Sequence, residues 1–210
     1  MRTDHLDLYQ MHHIDRDTPW EEIWQAMELL VQQGKVIYVG SSNFAAWHIA
    51  RANELATRRN FLGLVCEQSR YNLVERTVEL EVAPACASYG MGLIPWSPLA
   101  SGALAGTGRK DGATGRRGGR WGQDLIAKHG DKLARFQSFC SDRGQEPADV
   151  ALAWLLTNPV VTAPIIGPRT REQLDGALRA LEVKLDAVAL SRLDEIFPGP
   201  GKPAPEAYAW

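Results

Sequence analysis

Five polar clusters in the chain hold the side chains best suited to chemistry, and each follows a short apolar run. His12-His13 follows Leu6–Met11, and Gly40-Ser41-Ser42-Asn43 follows Val36–Val39. Glu67-Gln68-Ser69 follows Leu62–Cys66, and Trp96-Ser97-Pro98 follows Met91–Pro95. Gly167-Pro168-Arg169-Thr170 follows Val161–Ile166. A histidine at a strand end can orient a carbonyl or donate a proton, or it can simply bond the backbone. Alternation along the strand turns one of His12 and His13 inward. The short hydroxyls and amides of Ser41, Ser42, Asn43 and Gln68 suit an amide-bearing ligand. Ser-Ser-Asn equally suits the cap of a following helix. Trp96 before a Ser-Pro turn makes a flat wall for a planar ring, or else packs in a core. A turn at Gly167 leading into a helix, flanked by Arg169 and Arg171, suits a phosphate; the plain alternative is a capped helix with solvated arginines. With no His-Glu-x-x-His and no converging Cys/His set, the pattern does not read as a zinc site.

The elements that must position these clusters follow from periodicity. A strand followed by a helix, repeated, writes a parallel α/β sheet or a (β/α)₈ barrel, whose chemistry sits at the C-terminal strand ends. Thr18-Pro19-Trp20-Glu21 reads as a capping box, with Thr18 as N-cap. Trp20, Ile23, Trp24, Met27, Leu30 and Val31 then form one buried face, and Gly34 closes the helix. Further helices are expected from Phe44 to about Arg58, from about Val74 to Tyr89, and at about Asp124–Arg143 and Pro147–Thr157. Thr170 and Gln173 form a second capping box ahead of a helix at about Arg171–Leu181, followed by one at Ala187–Ile196. Between Ala100 and Trp121 lies a stretch rich in glycine and positive charge, which fits neither helix nor core strand.

Composition narrows the class. The 210 residues suffice for a full core, and 45% hydrophobic with 23% charged residues is ordinary for a globular domain. A net charge of −2 points to neither nucleic acid nor anionic membrane. Cys66, Cys86 and Cys140 are odd in number and unpaired in spacing, which suggests reduced, buried thiols in the cytoplasm. No run reaches the roughly 18 apolar residues of a membrane span, and no apolar leader opens the chain.

Read together and in order, the clusters resemble the aldo-keto reductase family, and in particular its bacterial branch that also looks like potassium-channel β subunits. The resemblance is carried by Asp7-Leu8-Tyr9-Gln10-Met11-His12, by Gly34 through Phe44, and by Glu67-Gln68-Ser69-Arg70-Tyr71-Asn72. It continues through Pro95-Trp96-Ser97-Pro98-Leu99-Ala100-Ser101-Gly102 and Ile166 through Leu174. The resemblance implies NADP(H) as cofactor and a small aldehyde or ketone as substrate. It makes His12 the histidine that orients the carbonyl. Ser42, Asn43 and Gln68 would hold the nicotinamide carboxamide, and Trp96 would stack on its ring. Ser97, Pro98, Leu99, Ser101 and Gly102 would line the pyrophosphate path, and the glycine-arginine loop would close over the cofactor through Arg117. Gly167, Arg169 and Gln173 would meet the adenosine end, Arg169 near a 2′-phosphate. The family's Glu-Asn pair after that glutamine is here Gly176 and Ala177, which weakens the adenosine grip.

The fold is therefore expected to be α/β, a partial (β/α)₈ TIM barrel made of the last five strand-helix units. Residues 1–197 would form the barrel part, with a cofactor clasp at about 100–122 and a C-terminal arm at 198–210. The family's aspartate, proton-donating tyrosine and lysine belong to earlier strands, and Tyr9, Tyr38, Tyr71 and Tyr89 do not replace that acid. The expectation is a truncated, cytoplasmic reductase with little activity of its own, whose open strand edges favour self-association. The alternatives are a non-catalytic NADP(H)-binding module or gene relic, and a phosphate-binding barrel of another reaction class.

Overall fold

The computed structural model describes residues 2–106 and 118–204. It comprises two compact units, one built on residues 2–69, 78–94 and 203–204, the other on 70–77, 95–106 and 118–202.

In the first unit strands and helices alternate. β1 (Leu6–Met11), β2 (Val36–Ser42), β3 (Leu64–Gln68) and β4 (Gly92–Leu93) form one parallel sheet in the order β1-β2-β3-β4. Helices α1 (Trp20–Gln32), α2 (Ala46–Arg58) and α3 (Val82–Ser88) connect them. α1 buries Trp20 and Trp24, and the Trp24 indole N–H donates to the Ala52 carbonyl of α2 at 2.9 Å. α1 ends where Gly34, at φ 67°, lets Lys35 N–H reach back to Leu30 O at 3.0 Å. Asn53 of α2 accepts from Leu64 N–H at 2.8 Å and so ties the helix to the start of β3. Between Val39 and Ser41 the β2–β3 register shifts. Gly40 sits at that irregularity, and a Cβ there would lie 2.5 Å from Cys66 Sγ.

The second unit is helical: α4 (Arg120–Asp142), α5 (Pro147–Leu156), α6 (Arg171–Arg179) and α7 (Ala187–Ile196). α5 is apolar almost all round and buried along nearly its whole length, as the innermost helix of a cluster must be. Phe136 of α4 meets Phe197, just beyond α7, edge-on at 5.7 Å. Arg76 bonds Asp194 at 2.5 Å and Phe197 O at 2.8 Å, across more than a hundred residues of chain.

Several local expectations are corrected. Thr18 does not cap α1: its hydroxyl donates to Asp15 at 2.8 Å, and the helix begins at Trp20 without a side-chain cap. The single helix expected from Val74 to Tyr89 is a 3₁₀ turn at Thr77–Glu79 followed by the short α3. Asn72 Oδ1 accepts from both Val74 and Glu75 N–H at 3.0 Å and closes a turn there, while Pro84 is tolerated only in a helix's first turn. The run Val161–Ile166 is not a regular fifth strand. Ile165 N–H donates to Pro95 O at 2.8 Å, but Pro164 has no N–H to offer a ladder. The sheet thus has four strands among the described residues. Among these residues no helix is long and apolar enough to cross a membrane.

Candidate active site

Each unit carries part of the expected site. In the first, register brings three clusters to one edge of the sheet: Met11 pairs with Ser41, Ser41 with Glu67, and Ser42 with Gln68. The C-terminal ends of β1, β2 and β3 therefore lie side by side, with His12 just past β1. Ser42 is buried, and its hydroxyl donates to Gln68 O at 2.9 Å. Asn43 takes a left-handed backbone, φ 59°, and its N–H donates to Gln68 O at 3.0 Å. Its amide Nδ2 donates to Ser42 Oγ at 2.9 Å. α2 begins only at Ala46, on an N-cap with no side-chain bond. Ser42 and Asn43 are therefore not its caps, and their polar groups are turned to one another and to Gln68.

Glu67, in sequence only one member of the polar cluster Glu67-Gln68-Ser69, organises this edge. It is fully buried, yet both carboxyl oxygens are served. Ser41 Oγ donates to one at 2.5 Å; Ser69 Oγ at 2.6 Å and Phe44 N–H at 3.1 Å donate to the other. Burial pushes its carboxyl above the ordinary range, against the pull of those donors. Its neighbours Ser42, Asn43 and Gln68 are thus held on a rigid frame. His12 and His13 do not split between an inner and an outer face. Both are exposed, with ring centroids 4.2 Å apart, because β1 ends at Met11 and strand alternation ends with it.

In the second unit the Trp96 turn is strained. Ser97, Ala100 and Ser101 have φ of 55°, 48° and 55°, followed by Gly102 at 91°. Left-handed non-glycine residues cost about 1–3 kcal/mol each and persist where surrounding structure imposes them, often at ligand sites. Asn72, fully buried, imposes part of it by donating from Nδ2 to Ser97 O at 2.9 Å. Ser97 Oγ accepts from Ser101 N–H at 3.3 Å. Pro98 is buried and Leu99 half-buried in the same turn. Sequence reasoning passed over Asn72, although an asparagine two and three residues before free N–H groups is a recognisable turn signal. It also passed over Arg70, which bridges Trp96 backbone to backbone and whose guanidinium lies over that ring at 5.8 Å.

In the loop before α6 the second capping box forms as read. Thr170 Oγ1 accepts from Gln173 N–H at 3.3 Å, and Gln173 Oε1 accepts from Arg169 N–H at 2.7 Å. Gln173 thus serves α6 as a cap. Arg169 and Gly167 are exposed, and Gly176 is buried beside Arg179. Arg117, expected to close over the cofactor, lies outside the described residues. The thiols are poor nucleophiles: burial pushes Cys66 up to about 11, and Cys86 and Cys140 to about 12.

A parallel sheet with amides and hydroxyls gathered at its C-terminal edge is the frame of an α/β barrel enzyme. The chain belongs to the aldo/keto reductase family, whose model matches residues 1–197. It is 55% identical, over its whole length, to the oxidoreductase YrpG of Bacillus subtilis, of which it covers 64%. It is 34% identical to a versiconal hemiacetal acetate reductase of Aspergillus parasiticus, over 92% of this chain and 57% of the relative. A putative voltage-gated potassium channel subunit beta of Schizosaccharomyces pombe is 32% identical over 92% of this chain and 59% of its own length. The chain thus spans less than two thirds of the curated relatives it matches.

Proposed function

We propose that these residues serve NADP(H)-dependent reduction of small aldehydes or ketones to alcohols. The observation that carries the reading is the cluster Ser42–Asn43–Gln68 at adjoining strand ends, framed by buried Glu67. A carboxamide offers one acceptor and two donors, and a hydroxyl with two amides answers both kinds. The donor set therefore fits a nicotinamide carboxamide. Trp96 fits the ring, the strained turn Ser97–Gly102 fits the phosphates, and Arg169 fits a 2′-phosphate. When bound, the cofactor supplies a hydride for the carbonyl carbon. The chain's own residues orient: His12, at the exposed end of β1, points the carbonyl, and Glu67 keeps Ser42, Asn43 and Gln68 in place. Three buried, unpaired thiols accord with a reducing, cytoplasmic setting.

The described tyrosines are placed for other work. Tyr9 and Tyr38 are exposed on strands, Tyr71 packs edge-on to Trp154, and Tyr89 donates to Glu54 at 3.0 Å. Among the described residues the reading therefore assigns orientation of cofactor and carbonyl, and no tyrosine as proton donor. Titration of tryptophan fluorescence tests the reading. NADPH should quench more strongly than NADH; Trp96→Ala should weaken both, and Arg169→Ala should weaken NADPH selectively. An equal response to the two nucleotides would remove the 2′-phosphate role, and no response to either would remove the cofactor reading.

A further inference from the structure

Arg70 meets two tryptophans and, among the described residues, no acidic side chain. Its Cζ lies 5.8 Å from the ring centroid of Trp96 and 5.5 Å from that of Trp121. The Arg70–Trp96 bridge fixes the first of these contacts through the backbone. Among the described residues its Nε is buried without a hydrogen-bond partner, and no carboxylate forms an ion pair with it. Arg59, Arg76 and Arg179, by contrast, each hold an acidic side chain. Ring contacts draw on the charge of a guanidinium and leave its N–H donors uncommitted. A buried donor left open in an otherwise satisfied site calls for an explanation, and a ligand atom is one.

From this geometry we infer that Arg70 is a specificity residue that binds the carboxylate of a carbonyl substrate. The inference rests on the reading of Trp96 as the wall for the nicotinamide ring. The guanidinium is always charged, and its planar fork bonds a carboxylate or phosphate oxygen pair. In that reading the phosphates follow the turn Ser97–Gly102, whereas Arg70 is registered with Trp96 itself, at the ring end. Hydride transfer requires the substrate carbonyl within about 3–3.5 Å of that ring. An anion at the ring end is therefore carried by the substrate, as in an aldehyde or keto acid. Two aromatic faces also hold the fork still, which favours a rigid, planar acid over a flexible one.

The test uses the full chain and two matched probes, 4-formylbenzoate and benzaldehyde, titrated by tryptophan fluorescence with saturating NADPH and without it. The wild type should bind the acid about ten-fold more tightly or better, as charge-assisted pairs allow. Arg70→Met should erase that preference and leave NADPH affinity unchanged; Arg70→Gln, which keeps polarity and bulk, should do the same. Circular dichroism shows that each variant is folded. A wild type indifferent to the carboxylate, or a preference that survives in a folded variant, overturns the inference. Loss of NADPH affinity in both variants also overturns it, and assigns Arg70 to a cofactor phosphate instead. An Arg70-dependent preference in a chain that fails to bind NADPH would uphold the anion site while removing the cofactor reading.

Discussion

At the scale of single residues, two buried titratable groups should report on the fold in opposite directions. Glu67 is held by three donors with its carboxyl pushed up by burial. Its native state keeps a proton at pH values where the unfolded chain has lost it, so its share of stability falls as pH rises above about 4.3, the unfolded value. Glu67→Leu should cost about 1–3 kcal/mol for each donor left unsatisfied, and Glu67→Gln, which still accepts, much less. Urea unfolding at several pH values checks both the ranking and the sign. His48 is the converse. It is 3% exposed, neither ring nitrogen has a hydrogen-bond partner among the described residues, and desolvation lowers its pKa, helped by Arg16 and Arg51. The unfolded chain takes up a proton first as pH falls below about 6.5, so stability drops there by up to about 1.4 kcal/mol per pH unit. His48→Phe should flatten that slope, and the wild-type minus variant difference between pH 5 and 7 measures it. A difference that is flat with pH would mean that His48 is hydrated.

At the scale of elements, the pairing of β2 with β3 decides whether Ser42 and Gln68 meet. Gly40 stands at the register shift because any side chain would strike Cys66, with Sγ at 2.5 Å and the carbonyl at 3.2 Å from a Cβ. Gly40→Ala should cost about 1–3 kcal/mol, the usual range for forcing an extra methyl into a packed site. Adding Cys66→Ala should recover part of that loss, because it removes the nearer clash but not the carbonyl. Equal urea midpoints for Gly40→Ala and the wild type would show that the strands part freely, and that the Ser42–Gln68 contact is not held by register. The element scale also explains the misread helix at Val74–Tyr89. Its apolar spacing was helical, but the Asn72 side chain captured the N–H groups that would have begun it.

At the scale of the whole molecule, β1 is the last strand of its sheet, so the outer backbone groups of Leu6–Met11 have no strand partner among the described residues. Such edges pair with other chains. The isolated 210-residue chain should therefore sediment as more than a monomer, and should oxidise NADPH with an aldehyde panel far below an ordinary turnover of about 1–10³ s⁻¹. Supplying a segment with further strands should lower association and raise activity together. A compact monomer with a sharp cooperative melt would show that the β1 edge is covered by another route.

The sequence by itself determined where β1 and β2 start, the helix α6 with its Thr170–Gln173 cap, and the family. These depend on local spacing, and local spacing is written in the chain. It did not determine that Thr18 would turn to Asp15, that both histidines would be exposed, or that Val161–Ile166 would fail as a strand. A side chain with two available partners chooses by which one the fold brings near. The tertiary structure also decided the roles of Glu67, Asn72 and Arg70. A buried carboxylate with three donors, an asparagine gripping a strained turn and an arginine lodged between two tryptophans are products of long-range packing. Their partners lie 2 to 51 residues away in the chain and are brought within bonding distance only when the strands and turns assemble.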